Sequence, residues 1–130
     1  MKGHSRLLWN GCWSRLSASA FFTVGRDKQL ICWVHTGGKW SKLCNYSAPE
    51  PITAIDSAAS KGEEEAILIG LESGQLRRLT FDGVKITECD VLDKDASHSS
   101  VVNQIRFQNA HAVATAGDDN QVKIFTLDGC

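Results

Sequence analysis

The chain has 130 residues, of which 42% are hydrophobic, with two prolines and a formal net charge of −1. That length and apolar content suit one packed domain, and the near-neutral charge excludes a general pull toward nucleic acid or anionic membrane, leaving only local patches. The N-terminal MKGHSRLLWNGCW has no continuous apolar core and no run reaches transmembrane length, so the expectation is a soluble intracellular protein, cytoplasmic or also nuclear, with no membrane partner.

Strand signals dominate from the start. Leu7 to Trp13 reads as a buried strand and Ser14 to Ser19 as a turn. Phe21 to Val24 and Gln29 to Val34 flank the polar knot Gly25-Arg26-Asp27-Lys28 and form a hairpin. Gly37-Gly38 then leads into a more exposed fourth strand over Lys39 to Cys44. After Pro49-Glu50-Pro51 the pattern restarts: a strand over Ile52 to Ile55, a polar loop over Ser57 to Glu65, and a strand over Ala66 to Gly70. Glu63-Glu64-Glu65 is read as part of that solvated loop. Gln75 to Phe81 and Lys85 to Leu92 follow around Asp82-Gly83, a strong hairpin turn. Beyond the polar link Asp93 to Ser100 come Val102 to Phe107, Ala112 to Ala116 and Gln121 to Leu127, with no sequence left for a fourth strand.

These strands repeat. Thr23 to Trp33, Ile69 to Leu79 and Thr115 to Phe125 align without a gap, and Asp27, Ser73 and Asp119 share one column at separations 73 − 27 = 46 and 119 − 73 = 46. Groups of four short strands at this period predict propeller blades rather than a sandwich. The predicted fold is therefore all-β: a partial propeller of about three four-stranded antiparallel blades, over about 3–46, 50–93 and 98–128, the last incomplete and the ring not closed.

Gly3-His4, Thr23, Asp27 and Trp33 fill four positions of a pattern that resembles the WD-repeat family. The resemblance implies a buried relay in which Thr23 accepts the Trp33 indole N–H and His4 links the Thr23 hydroxyl to the Asp27 carboxylate. The third repeat keeps His98, Thr115 and Asp119 but carries Phe125 in the Trp column. The second has Glu50 near the His column, with Ile69, Ser73 and Leu79, so apolar packing is expected to hold it.

A closer resemblance rests on His4-Ser-Arg-Leu-Leu-Trp9 with Cys12-Trp13, Ile52-Thr-Ala-Ile55 with Gly70-Leu-Glu-Ser-Gly74, and Ala116-Gly-Asp-Asp-Asn120 with Val122-Lys-Ile-Phe125. In that order they are similar to the last blades of the second propeller in the Elongator subunit 2 family, with Asn10 and Val24 as departures. The resemblance implies a non-catalytic scaffold that contacts the large scaffold subunit and the catalytic subunit of a complex acting on transfer RNA wobble uridines, with RNA contact indirect. Members of that family carry two complete propellers, so a truncated or partial copy is expected.

Chemistry finds little footing. His4, Thr23 and Asp27 superficially supply a base, a hydroxyl and a carboxylate, but the repeat accounts for them inside a sheet, so no catalytic residue is assigned. No Walker spacing follows Gly37-Gly38. The five cysteines, Cys12, Cys32, Cys44, Cys89 and Cys130, show no metal-ligand spacing and are expected to be free thiols in a reducing compartment, so neither metal nor cofactor is predicted. The column before the turn residue holds Arg26, Glu72 and Asp118, and in the family that position projects onto a partner-binding face. Arg77-Arg78 is read as surface charge, and open blade edges as sites of self-association. A generic WD-repeat peptide-binding module, a non-functional fragment and a propeller-enzyme fragment stay open as alternatives.

Overall fold

The computed structural model describes residues 8–17, 19–59, 64–91 and 97–127, and within them all regular structure is β. The first antiparallel sheet contains β1 (Leu8–Trp13), β2 (Ala20–Gly25), β3 (Gln29–Thr36) and β4 (Lys39–Ser47). The second contains β5 (Ile52–Ala59), β6 (Glu65–Leu71), β7 (Leu76–Phe81) and β8 (Ile86–Val91), and the third β9 (Val102–Asn109), β10 (Ala112–Gly117) and β11 (Val122–Thr126). Within each sheet neighbouring strands are consecutive in the chain, as short hairpin connections require. The first strands lie side by side, β1 against β5 and β5 against β9.

Turn chemistry sets the hairpins. Gly37 and Gly38 have φ of +58° and +79°, the doubly left-handed backbone of a tight two-residue turn joining Thr36 to Lys39. At the β7–β8 turn the Asp82 carboxylate accepts the Val84 and Lys85 N–H groups, each at 2.9 Å. Those backbone donors, Lys85 first, hold its carboxyl below the ordinary range.

The repeat is also visible in the backbone. Lys28, Gly74 and Asn120, which share a column, have φ of +69°, +99° and +64°. Each pairing of first and second strands shifts register at the same place, between Leu8 and Asn10, Ile52 and Ala54, and Ala116 and Gly117. Bulges at matched positions mark a shared local geometry rather than three accidents.

Two apolar clusters hold the sheets together. Phe22 and Leu30 of sheet one meet Ile55, Ile67, Ile69, Leu79 and Phe81 of sheet two, and the Phe22 and Phe81 rings cross edge to face at 5.3 Å. Such a ring pair contributes about 1 kcal/mol beyond its buried area. Ala54, Leu68 and Leu76 meet Val102, Ile105 and Val113 on the far side of sheet two.

Several expectations are corrected. The strand expected to stop at Ile55 runs on to Ala59, and Glu65 belongs to β6 rather than to a solvated loop. Asp56 and Ser57 look like loop residues, but both are buried, and sheet-crossing bonds replace their water: Phe107 N–H donates to Asp56 at 2.8 Å and Ser57 donates to the Trp13 carbonyl at 3.3 Å. Arg78, read as surface charge, is buried because the register sets it opposite Leu68, on the face packed against sheet three. Arg77 is half-buried and reaches the Glu88 carboxylate at 2.6 Å and the Tyr46 hydroxyl at 3.1 Å, tying β4 to β7 and β8. Cys12, Cys32 and Cys44 are free, as expected, but Cys89 is disulfide-bonded, which removes the redox argument for compartment; Cys130 lies outside the described residues. Burial, helped by Asp56, pushes the Cys12 thiol up to about 12.

Candidate functional site

The polar groups singled out by the repeat sit at equivalent places on sheets one and three. On sheet one Thr23 and Trp33 project from β2 and β3, both buried, and the indole N–H donates to the Thr23 hydroxyl at 2.9 Å. Asp27, in the turn between those strands, accepts the Gln29 N–H at 3.2 Å. His4 lies outside the described residues.

On sheet three the described residues include the histidine. His98, just ahead of β9, is 4% exposed and spans the gap between turn and strand: Nδ1 is 2.9 Å from Asp119 Oδ1, and Nε2 is 2.7 Å from the Thr115 hydroxyl. The carboxylate can only accept, so Nδ1 carries a proton toward Asp119, and Nε2 and the Thr115 hydroxyl share the second hydrogen bond. Asp119 also receives the Ser99 N–H at 3.0 Å and the Gln121 N–H at 3.1 Å, the latter matching the Asp27 bond on sheet one. Phe125 stands in the Trp33 column, so Thr115 receives no indole donor.

These bonds set the ionisation of Asp119. Partial burial works to raise its pKa, but the hydrogen bonds from His98, Ser99 and Gln121 outweigh it and hold the carboxyl at about 2. That value lies below the ordinary 3.8, so the stability it contributes is complete above about pH 4 and is lost as pH falls toward 2. Urea midpoints measured from pH 5 down to pH 2 are expected to fall less steeply for Asp119→Asn than for the parent. Identical acid slopes would show that the carboxylate contributes nothing.

Among the described residues sheet two has no such relay. Ile69 and Leu79 are fully buried in the first cluster, and the Glu50 carboxylate instead accepts the Ser73 N–H at 2.6 Å. This acid caps the turn from the bend ahead of β5, as Asp119 fastens Ser99 from the opposite direction.

The column Arg26, Glu72 and Asp118 is exposed on all three turns. Backbone bonds fix two of these positions, Glu72 N–H to the Pro51 carbonyl at 3.1 Å and Asp118 N–H to the Val101 carbonyl at 2.8 Å. Asn103, at the bulge of β9, donates to Asp118 at 2.5 Å and also lines a hollow of about 360 Å³ with Asn10, Thr53, Val101 and Gln104. The arrangement offers amide and carboxylate groups to a polar partner, with the bulges of β5 and β9 turning Thr53 and Asn103 out of strand register.

Sequence reading missed the polar links between sheets. Glu65 is 0% exposed and accepts Ser14 Oγ–H and Arg15 N–H at 2.5 Å each, with Leu16 N–H at 3.4 Å. Thr53 donates to the Val102 carbonyl at 2.5 Å. The available signal for Glu65 was its position directly before the uninterrupted apolar run Ala66 to Ile69.

Three repeated antiparallel sheets, two joined by apolar clusters on either face of the third, define the class of protein as all-β. The fold is similar to the crystal structure of the computationally designed Ika4 protein, with a TM-score of 0.69 and 18% identity over 97% of this chain and 69% of that chain. No protein-family profile and no curated protein matches the sequence.

Proposed function

We propose that the three sheets are consecutive blades of a WD-repeat β-propeller and that the chain is a non-catalytic protein-interaction scaffold of the Elongator subunit 2 kind. What carries the blade reading is the matched hydrogen bonding in one set of repeat columns: Trp33 to Thr23 on the first sheet, and Asp119, His98 and Thr115 on the third. In this reading the relays brace the blades and perform no chemistry. His98 and Thr115 are 4% and 1% exposed, and both imidazole nitrogens are engaged, by Asp119 and Thr115, although His98 and Asp119 border a hollow of about 360 Å³ with Ser97, Ser99, Gln121 and Lys123. The working surface is the exposed turn column of Arg26, Glu72 and Asp118, one charged residue on the same turn of each sheet.

The partners follow from the sequence resemblance: the large scaffold subunit and the catalytic subunit of the complex that modifies wobble uridines, with transfer RNA contacted indirectly. Tagged chain expressed in cells is expected to recover both subunits, and Arg26→Glu to reduce that recovery without changing the melt. Recovery of neither subunit by the folded chain would sink the Elongator assignment; undiminished recovery by Arg26→Glu would sink the assigned face.

A second reading, a WD-repeat peptide-binding module outside that complex, draws on the hollow beside Asp118. It predicts binding of short polar peptides that is lost in Asn103→Ala, with neither Elongator subunit recovered.

A further inference from the structure

The outer faces of the sheets can be compared position by position. The repeat places Leu30, Leu76 and Val122 in one column and Cys32, Arg78 and Ile124 in another. On sheets one and two these side chains face the following sheet: Leu30, Cys32 and Leu76 are 0% exposed and Arg78 is 8%. On sheet three the same positions are bare, Val122 at 72% and Ile124 at 80%. Register sets Ala116 beside Val122 and Ala114 beside Ile124, so the bare residues sit on a smooth strip of small apolar side chains. Isolated exposed aliphatics are ordinary, but a face buried in two copies of a repeat and uncovered in the third is an interface without its partner.

The chain itself shows what such a face accepts. Sheet two covers sheet one with Ile67 and its neighbours, and sheet three covers sheet two with Val113 and its neighbours. The residue in the same column of sheet one is Phe21, which is half-buried and crosses the ring of Trp13 at 4.8 Å. Trp13 is 55% exposed. Trp33, the next residue along that row, is already buried, so the available part of this face centres on Trp13 and Phe21.

We propose that the occupant is a second copy of the chain: the bare face of sheet three in one copy docks on the Trp13–Phe21 face of sheet one in the next, head to tail. This repeats across two chains a pairing that the chain makes twice within itself. The contact is face to face and heterologous, so it closes into a dimer or a small ring if the accumulated rotation returns to the start. It depends on the repeat columns and not on the Elongator assignment, which can fail independently.

Sedimentation equilibrium of the full chain at micromolar concentration is the test, with two variants. Val122→Glu with Ile124→Glu disables one face and Trp13→Glu the other, since charges buried at an apolar contact are strongly disfavoured. The parent is expected to associate, and each variant alone to associate about 100-fold more weakly or worse. Mixing the two is expected to restore a one-to-one heterodimer, because one partner still has a good sheet-three face and the other a good sheet-one face. Restoration also shows that both variants are folded; if the double variant does not melt cooperatively, Ile124→Thr replaces it. A parent chain that is monomeric overturns the proposal. So does association that survives either charge change, which would assign the contact to strand edges, or two cooperatively melting variants that fail to pair.

Discussion

Glu65→Ala is expected to lower the stability of the chain by about 3–5 kcal/mol, because it strands several donors at once in a buried place. The carboxylate is 0% exposed on β6, yet its bonds go to the loop after β1: Ser14 Oγ–H, Arg15 N–H and Leu16 N–H. Ser14 in turn accepts the Leu16 and Ser17 N–H groups at 3.1 and 3.0 Å, so a single acid organises the segment from Ser14 to Ser17. Dehydrating a carboxylate is itself costly, and an apolar replacement of the entire network could be neutral. Removing only the acceptor is a different matter, since each buried donor left without a partner costs about 1–3 kcal/mol. Glu65→Gln retains one acceptor oxygen but turns an amide N–H₂ toward donors, so an intermediate loss of about 2 kcal/mol is expected. By contrast, the Arg15–Asp56 ion pair at 3.9 Å joins a side chain that is 55% exposed, and Arg15→Ala is expected to change little. Urea denaturation of the three variants checks the order. A Glu65→Ala midpoint close to the parent's would show that water replaces the carboxylate.

The contrast between Glu65 and the relay residues explains which parts of this molecule were legible. Thr23, Trp33, His98, Thr115 and Asp119 stand in columns of an internal repeat, and a repeat turns one local geometry into several independent observations. The turns were legible for a similar reason: Gly37-Gly38 and Asp82-Gly83 act through their own backbone and need no distant partner. Asp56, Glu65 and Arg78 depend on how one sheet lies on the next. Their burial follows from docking across 50 residues or more in the case of Glu65 with Arg15 and Asp56 with Phe107, and no local pattern carries that information. A polar residue at a strand end reads as loop unless the partner that replaces its water is known. Asn103 falls between these cases, since its position is an ordinary strand start and only the bulge directs it to Asp118.

Gly74→Ala is expected to cost about 3 kcal/mol or more and to act mainly on sheet three, although Gly74 belongs to the turn between β6 and β7. Its φ of +99° disfavours a side chain, but φ is the smaller part of the argument. Lys28 and Asn120 occupy the same column at +69° and +64°, so this turn accepts non-glycine residues where space allows. At Gly74 there is no space: a Cβ would lie 1.9 Å from the His98 carbonyl oxygen and 2.6 Å from that of Ser100. Both obstacles are backbone, so relief requires the segment ahead of β9 to move. That segment is bonded to the glycine, His98 N–H to the Gly74 carbonyl at 2.9 Å, and it aims the imidazole at Asp119 and Thr115. Displacing it by even part of the overlap lengthens both imidazole bonds and loosens Val102 in the second apolar cluster. Gly74→Asn separates the two causes, because asparagine tolerates positive φ but still carries a Cβ. If close approach dominates, Gly74→Asn is as damaging as Gly74→Ala, and amide hydrogen exchange accelerates across β9 and β10 more than across β2 and β3. If Gly74→Asn melts within about 1 kcal/mol of the parent, the backbone angle alone requires glycine here and the His98 segment is more compliant than the packing implies.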